Sequence, residues 1–408
     1  MRPLVPRLAA VAASTAAALL VLVAGVEAWA RMRSDAKRGT PGFFLSDPGR
    51  RERLAPNYSG WFAGVPVHIN SLELRDDREY DLEKKPGTFR ILVLGDSVTF
   101  GHGALYECTY PYLLEQQLRR WRPDVDWQVW NAAVPGYNTS QELAQLLDVG
   151  PRFKPDLVIV GFYDNDIYDN YPVSAPGRVA SLASAVNSFL KRHVYSLDVY
   201  KRQYLTLRWK LTASDEYRKR IEHIATEESL LAGVDRVAEL QQQRITPYDR
   251  LTDEEVRQSR CIYGQQTNPQ LLIDMQKDPG WPAFLAAVRE LQRLHTTGDY
   301  RILFFLNIVP PICPDGDLFY DGGSNQLNDF LIGVMGQGTW AVSAHDAFLH
   351  RRPSQMPNAT AHAIGNSNMT KAEALFAYLK DRLLPTLADR YPLLGSRQTT
   401  DRPVVADR

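Results

Sequence analysis

Cysteine is scarce: three in 408 residues, Cys108, Cys261 and Cys313. No two stand at C-x-x-C spacing, which argues against a zinc-thiolate site, and the chain is too long for a disulfide-stapled miniprotein. One Cys261–Cys313 disulfide tying an insertion to the core, or three separate buried thiols, both remain open. Net charge is lacking too, with 47 basic against 47 acidic residues. That balance argues against a nucleic-acid binder built on a strongly basic domain. No Gly-Lys-Ser/Thr phosphate loop occurs, nor any internal repeat, nor a low-complexity tract beyond the N-terminal alanines. The 44% hydrophobic content excludes a disordered chain.

The charge balance hides a segregation. Residues 1–38 hold six basic and two acidic residues, which leaves 41 basic and 45 acidic in the remaining 370. Between Arg7 and Glu27 lie nineteen uncharged residues, Leu8 to Val26. As a helix they span roughly 28 Å, the thickness of a bilayer's hydrocarbon core. Two readings are open. One is an uncleaved anchor, favoured by a run longer than an ordinary signal-peptide core. The other is a signal peptide cleaved near Ala28-Trp29-Ala30. Bases after the run outnumber those before it, so they give no clean orientation.

Four domain segments are expected: 1–30 as anchor or signal, 31–88 as tether and lead-in, 89–392 as the main domain, and 393–408 as a loose tail. Phe89 to Gly95, Trp127 to Ala132 and Leu157 to Gly161 read as buried strands. Tyr110 to Trp121 and about Ser140 to Leu147 read as helices between them. That alternation predicts a doubly wound α/β sheet. Residues 167–280 are polar, Tyr- and Arg-rich and without a core strand, and read as a helical insertion. The core resumes with a helix at Pro282 to Leu294 and strands at Arg301 to Val309 and Trp340 to Ser343. A last amphipathic helix is expected from about Met369 to Leu387.

The chemistry concentrates at strand ends, where open α/β sheets bind ligands. Gly95-Asp96-Ser97-Val98-Thr99-Phe100-Gly101 follows the first strand and places Ser97 at a helix start, where backbone N–H groups favour developing negative charge. Gly136 follows the second strand and Asn165 the third. With the Ser97 N–H they can supply three oxyanion donors. Each loop taken singly is an ordinary capped turn. Three consecutive strand ends presenting Ser, Gly and Asn are harder to read that way.

These blocks, GDSVTFG, Gly136, and GFYDND with Asn165, resemble the SGNH or GDSL-type hydrolase superfamily, in particular its membrane-anchored bacterial members. The resemblance implies a three-layer α/β/α sandwich with a flavodoxin-like parallel sheet. It implies ester hydrolysis or O-acyl transfer on acylated carbohydrate or lipid, with no metal or organic cofactor. It also implies a main domain outside the cytoplasm, held at the inner membrane or secreted to the periplasm.

The last block departs from the family. D-x-x-H is expected before the final helix, and two registers compete. In one, His362 is the base, Ala359 replaces the Asp, and Ser367 or Asn368 caps the helix. In the other, Met356 replaces the His and the catalytic set is crippled. The first is preferred because the second puts Gly365 and Asn366 inside the helix, at a cost in helix propensity. Either a Ser97–His362 dyad works alone, or Asp346, Asp96 or Asp166 supplies the missing acid. The remaining histidines, His68, His102, His193, His223, His295, His345 and His350, lack ligand spacing and read as surface or structural. His102 is a candidate for the pocket wall, and adjacent His345 and Asp346 are expected to diverge. Reaction through an acyl-serine, as hydrolase or O-acetyltransferase, stands against a non-catalytic glycan-binding or assembly role.

Overall fold

A computed structural model describes residues 4–33, 42–168, 170, 178–197, 200, 204, 207, 243–258, 269–313, 316–321, 324–359 and 362–395. The chain divides into two compact units, 1–79 with 173–241, and 80–172 with 242–408.

The first unit opens with α1 (Leu4–Arg33), one uninterrupted helix. Its Ala10–Met32 stretch is long and apolar enough to cross a membrane. Two antiparallel hairpins follow: β1 (Phe44–Asp47) with β2 (Arg51–Leu54), and β3 (Tyr58–Phe62) with β4 (Val65–Ile69). The tether reading therefore fails over 44–69. The Phe43 ring stacks on Phe62 at 4.1 Å between centroids, so these short strands share an aromatic cluster. In this unit α6 (Arg178–His193) is pinned to β1, with Ser184 Oγ donating to Ser46 O at 2.7 Å and Ser46 N donating to Ser188 Oγ at 2.9 Å.

The second unit is built on a five-stranded parallel sheet. Its strands are β5 (Thr88–Gly95), β6 (Asp126–Asn131), β7 (Leu157–Phe162), β8 (Arg301–Leu306) and β9 (Trp340–Ser343), in the order β6-β5-β7-β8-β9. Every residue of β5 and β7 is buried, which is why both read as continuous apolar runs. Side-chain alternation sorts the two faces. Phe89, Ile91, Val93, Leu303 and Phe305 pack with α3 (Tyr110–Trp121) and with the last long helix, Asn366–Tyr378. Helices α4 (Thr139–Phe153) and Trp281–Thr297 cover the other face. The result is a three-layer α/β/α sandwich.

Between these, α2 (Ser97–Phe100) and α5 (Asn165–Tyr168) are single turns at strand ends. In chain order the later helices are α7 (Asp253–Gln258), α8 (Pro269–Lys277), α9 (Trp281–Thr297), α10 (Ser324–Met335), α11 (His345–Leu349) and α12 (Asn366–Tyr378). Among the described residues of 167–280 the regular elements are all helices. That stretch is divided, however: 173–241 groups with the first unit and 242–280 with the second. Cys313 is disulfide-bonded, and the expected partner, Cys261, lies outside the described residues. The Cys108 thiol is buried and donates to Gln243 O at 2.9 Å.

The last helix corrects one expectation. It begins at Asn366, so Ser367 and Asn368 lie inside its first turn and do not cap it. Gly365, at φ 51°, makes the entry turn, a left-handed conformation that glycine adopts without a Cβ clash.

Candidate active site

Ser97 is the first residue of α2, directly beyond β5. Asp96 caps the helix, with Oδ1 accepting from Val98 N at 2.9 Å. The turn is tight because Thr99 packs onto glycine: a Cβ on Gly95 would sit 2.2 Å from Thr99 Oγ1, and one on Gly161 2.1 Å. Tyr110 OH donates to the same hydroxyl at 2.9 Å. Two glycines at adjacent strand ends thus allow the serine turn to settle between β5 and β7.

Gly136 and Asn165 leave the neighbouring strand ends, since β6 and β7 flank β5. The β6 loop extends the β5 ladder, with Ala132 N donating to Val93 O and Val134 N to Gly95 O, both at 2.9 Å. Gly136 follows at φ 84°, and a Cβ there would meet nothing within 4 Å, so that face of the loop is open. Asn165 begins α5, with its side chain beside the Asp96 carboxyl and its Oδ1 buried without a hydrogen-bond partner.

His362 Nε2 lies 2.9 Å from Ser97 Oγ. The first turn of α12 holds the loop that carries this ring. Asn368 Nδ2 donates to Ala363 O at 2.7 Å and Ser367 Oγ to Pro357 O at 2.8 Å. Asn366 bridges Thr246 and Gln355 O, while Asn358 Nδ2 donates to the carbonyl of His362 itself. The polar residues that looked like caps hold the His362 loop instead. Met356, the alternative position for the base, is buried in the core cluster.

None of the three candidate acids hydrogen-bonds the His362 ring. Asp346 Oδ1 is bonded to His345 Nδ1 at 3.0 Å, so these neighbours converge where divergence was expected. They sit on the first turn of α11 rather than on a strand, so the two side chains are not thrown to opposite faces. His345 Nε2 is in turn 2.7 Å from Ser324 Oγ. Proton counting bears on this second Ser-His-Asp arrangement. The Ser324 hydroxyl also lies 2.5 Å from Asp321 O, an acceptor, so its one proton has two claimants. Asp96 serves the α2 cap, and Asp166 Oδ2 accepts from Tyr163 N at 2.9 Å.

Below Ser97 lies a group that sequence reading missed. Asp96, Glu142, Asp166 and Lys371 are all essentially inaccessible to solvent. Neither Glu142 oxygen, nor Asp96 Oδ2, nor Asp166 Oδ1, has a hydrogen-bond partner. Burial, then the charge of Asp96, pushes Glu142 well above the usual carboxylate range. Asp166 is raised likewise by burial and then by Glu142 and Asp96. Asp96 rises to about 6 through burial, restrained by the Val98 and Thr99 N–H groups, Asn165 and Lys371. Burial lowers Lys371 to about 7 against the attraction of Asp96. Glu142 and Lys371 carry no sequence signal, because a lone charged residue in a helix reads as solvent-facing. Among the described residues no group of three or more His, Cys, Asp or Glu is arranged to hold a metal ion.

Residues 93–256 match the GDSL-like lipase/acylhydrolase family, a span that includes Ser97, Gly136 and Asn165 and stops short of His362. Over 102 residues the chain is 32% identical to an arylesterase of Vibrio mimicus. That alignment takes in 25% of this chain and 48% of the relative, so the chain spans about half the length of that curated protein. A lipase from a goat rumen metagenome aligns with 72% of this chain and 99% of its own, at 14% identity and a TM-score of 0.34. A catalytic mutant of an acetylxylan esterase from Geobacillus stearothermophilus aligns with 76% and 95%, at 13% identity and a TM-score of 0.36.

Proposed function

We propose that the chain, which matches the GDSL-like lipase/acylhydrolase family over residues 93–256, is a serine esterase. Its substrates are O-acyl esters, O-acetyl groups foremost, on carbohydrate or lipid. The observation that carries this reading is the 2.9 Å contact between His362 Nε2 and Ser97 Oγ at a helix start beyond a parallel strand.

The chemistry follows from that contact. His362 takes the Ser97 proton as Oγ attacks the ester carbonyl carbon. The carbonyl oxygen gains negative charge and is met by the N–H of Ser97, the N–H of Gly136 and the Asn165 amide. Loss of one such donor costs about 2.7–4 kcal/mol of barrier. Collapse expels the alcohol, which takes the proton from His362 and leaves an acyl-serine. Water then attacks the acyl-serine and regenerates the enzyme. A sugar hydroxyl in place of water makes the same site an O-acetyltransferase. Asp346 is bonded to His345, Asp96 caps α2 and Asp166 accepts from Tyr163 N, so none of the three is given a role toward the His362 ring.

The helix α1 is assigned to the membrane, as an anchor that keeps the enzyme outside the cytoplasm. Its far end is bound within its own unit: Ser196 N donates to Glu27 Oε2 at 2.8 Å, and Tyr195 N to Glu27 Oε1 at 3.1 Å. A segment discarded by a signal peptidase has no use for such bonds, which supports retention over cleavage.

Fluorophosphonate labelling and p-nitrophenyl acetate hydrolysis test the proposal. Wild type is expected to label at Ser97 and turn over, while Ser97→Ala does neither and His362→Ala falls at least about 100-fold. Absent labelling of the wild type leaves the non-catalytic binding role, and an unaffected His362→Ala rejects His362 as the base. An acetylated-glycan acceptor assay separates transfer from hydrolysis.

A further inference from the structure

The His362 ring does not stand alone. The imidazole of His102 is stacked on it, with ring centroids 4.4 Å apart and planes inclined by 24°. His102 lies five residues beyond Ser97, on the loop that leaves α2. That loop is tied to the nucleophile's own residue: His102 N donates to Ser97 O at 2.9 Å and Gly101 N to the same carbonyl at 3.1 Å. Glycines at φ 85° and φ 77°, Gly101 and Gly103, flank the histidine and let the chain turn sharply on either side of it.

The far side of the loop is clamped as firmly. The buried Gln243 amide uses both ends on it, with Nε2 donating to Gly103 O at 2.7 Å and Oε1 accepting from Leu105 N at 3.3 Å. Gln243 is held in turn by the Cys108 thiol, which donates to its carbonyl. The His102 ring is therefore carried on backbone fixed relative to Ser97. What it touches is a flat face of the base.

From this geometry we infer that His102 is a positioning residue: it braces the face of the His362 imidazole so that Nε2 stays aimed at Ser97 Oγ. The inference deepens the esterase reading and rests on it. A carboxylate fixes such a ring by an in-plane hydrogen bond. A stacked ring fixes it from its face, by opposing tilt and slip. Flat contact, not protonation, is the property used, so another planar ring serves equally well. An aliphatic or small side chain leaves His362 free to swing out of line, and a displacement of about 1 Å costs on the order of 100-fold in rate.

The test compares full-length wild type, His102→Ala and His102→Phe in p-nitrophenyl acetate hydrolysis, with thermal melts of each. His102→Ala is expected to lose roughly 10–100-fold in kcat, with KM within about threefold of wild type and fluorophosphonate labelling of Ser97 slowed in proportion. His102→Phe is expected to recover kcat to within about threefold. Equal kcat in wild type and His102→Ala overturns the inference while leaving the esterase reading intact. So does a His102→Phe enzyme as slow as His102→Ala, or a loss confined to KM. A wild type that neither labels nor turns over sinks the esterase reading, and this inference with it.

Discussion

At the scale of single residues, the polar group under Ser97 is where stability and pH meet. Glu142 is fully buried with both oxygens unpartnered. Raised well above its ordinary 4.5, it holds a proton in the folded state that the unfolded chain releases. Its favourable contribution is complete below 4.5 and is lost as pH climbs through the folded value. Glu142→Met removes that loss along with two unsatisfied oxygens. It is expected to gain about 1–3 kcal/mol over wild type from the oxygens alone, with a larger gain at pH 8 than at pH 4. Urea titrations at the two pH values check this, and a less stable Glu142→Met at pH 8 refutes it. Lys371 has the opposite sign. Burial drops it from 10.5 to about 7, so the unfolded state binds the extra proton between those values and wild-type stability climbs across that window. Lys371→Met is expected to flatten the climb. Melting curves at closely spaced alkaline pH values decide it.

At the scale of elements, what could be read in advance divides by how each element buries itself. The strands β5 and β7 are buried on both faces, and such strands announce themselves as unbroken apolar runs. α3 was legible to its end residues because an apolar stripe at helical spacing begins and stops with it. The hairpins at 44–69 were not, because their strands of four and five residues are mostly half-buried and mixed with charge. The first turn delivers Arg51 at positive φ, and the second puts Ala63 there beside Gly64, so non-glycine residues fill positions where sequence habit looks for glycine first. α12 misled in a different way. Asn366, Ser367 and Asn368 before Ala-Glu-Ala-Leu have the composition of a cap. In the fold, Gly365 makes the entry and those side chains reach back to the base loop. His362 was preferred as base partly because Asn366 was expected outside the helix, and that ground does not hold. The contact with Ser97 stands on its own geometry. This assignment of α12 yields a prediction. Ser367→Ala, which frees Pro357 O, is expected to cost about 1 kcal/mol of stability and to lower kcat more than it changes KM. Asn368→Ala is expected to behave alike, because it releases the same loop at Ala363. Steady-state kinetics beside thermal melts check both, and a loss of stability with unaltered kcat separates the turn from the base.

At the scale of the molecule, the charge segregation and the two compact units belong together. Ser97, Gly136, Asn165, His362 and His102 all fall within 80–172 and 242–408. The chemistry therefore needs nothing from α1. The first unit holds α1, the hairpins and α6, and its polar contacts gather where the apolar helix ends: Glu27 with the Tyr195 and Ser196 N–H groups, and Arg31 over the Tyr195 ring at 4.6 Å. That arrangement suits a segment whose apolar length lies in lipid and whose last turn meets folded protein. Aqueous burial does not explain it, since the apolar stretch is not covered by the chain. Retention of α1 has a direct consequence. The enzyme expressed in a bacterial envelope is expected to stay with the membrane through an alkaline carbonate wash and to leave it in detergent, with Leu8 to Val26 still attached by intact-mass measurement. Glu27→Ala is expected to lower the melting temperature by roughly 1 °C, the shift of about 1 kcal/mol in a chain of this size, without changing esterase kcat. A soluble product beginning after Ala30 would show that the helix is a signal sequence, and would leave the Glu27 bonds without a purpose in the mature protein.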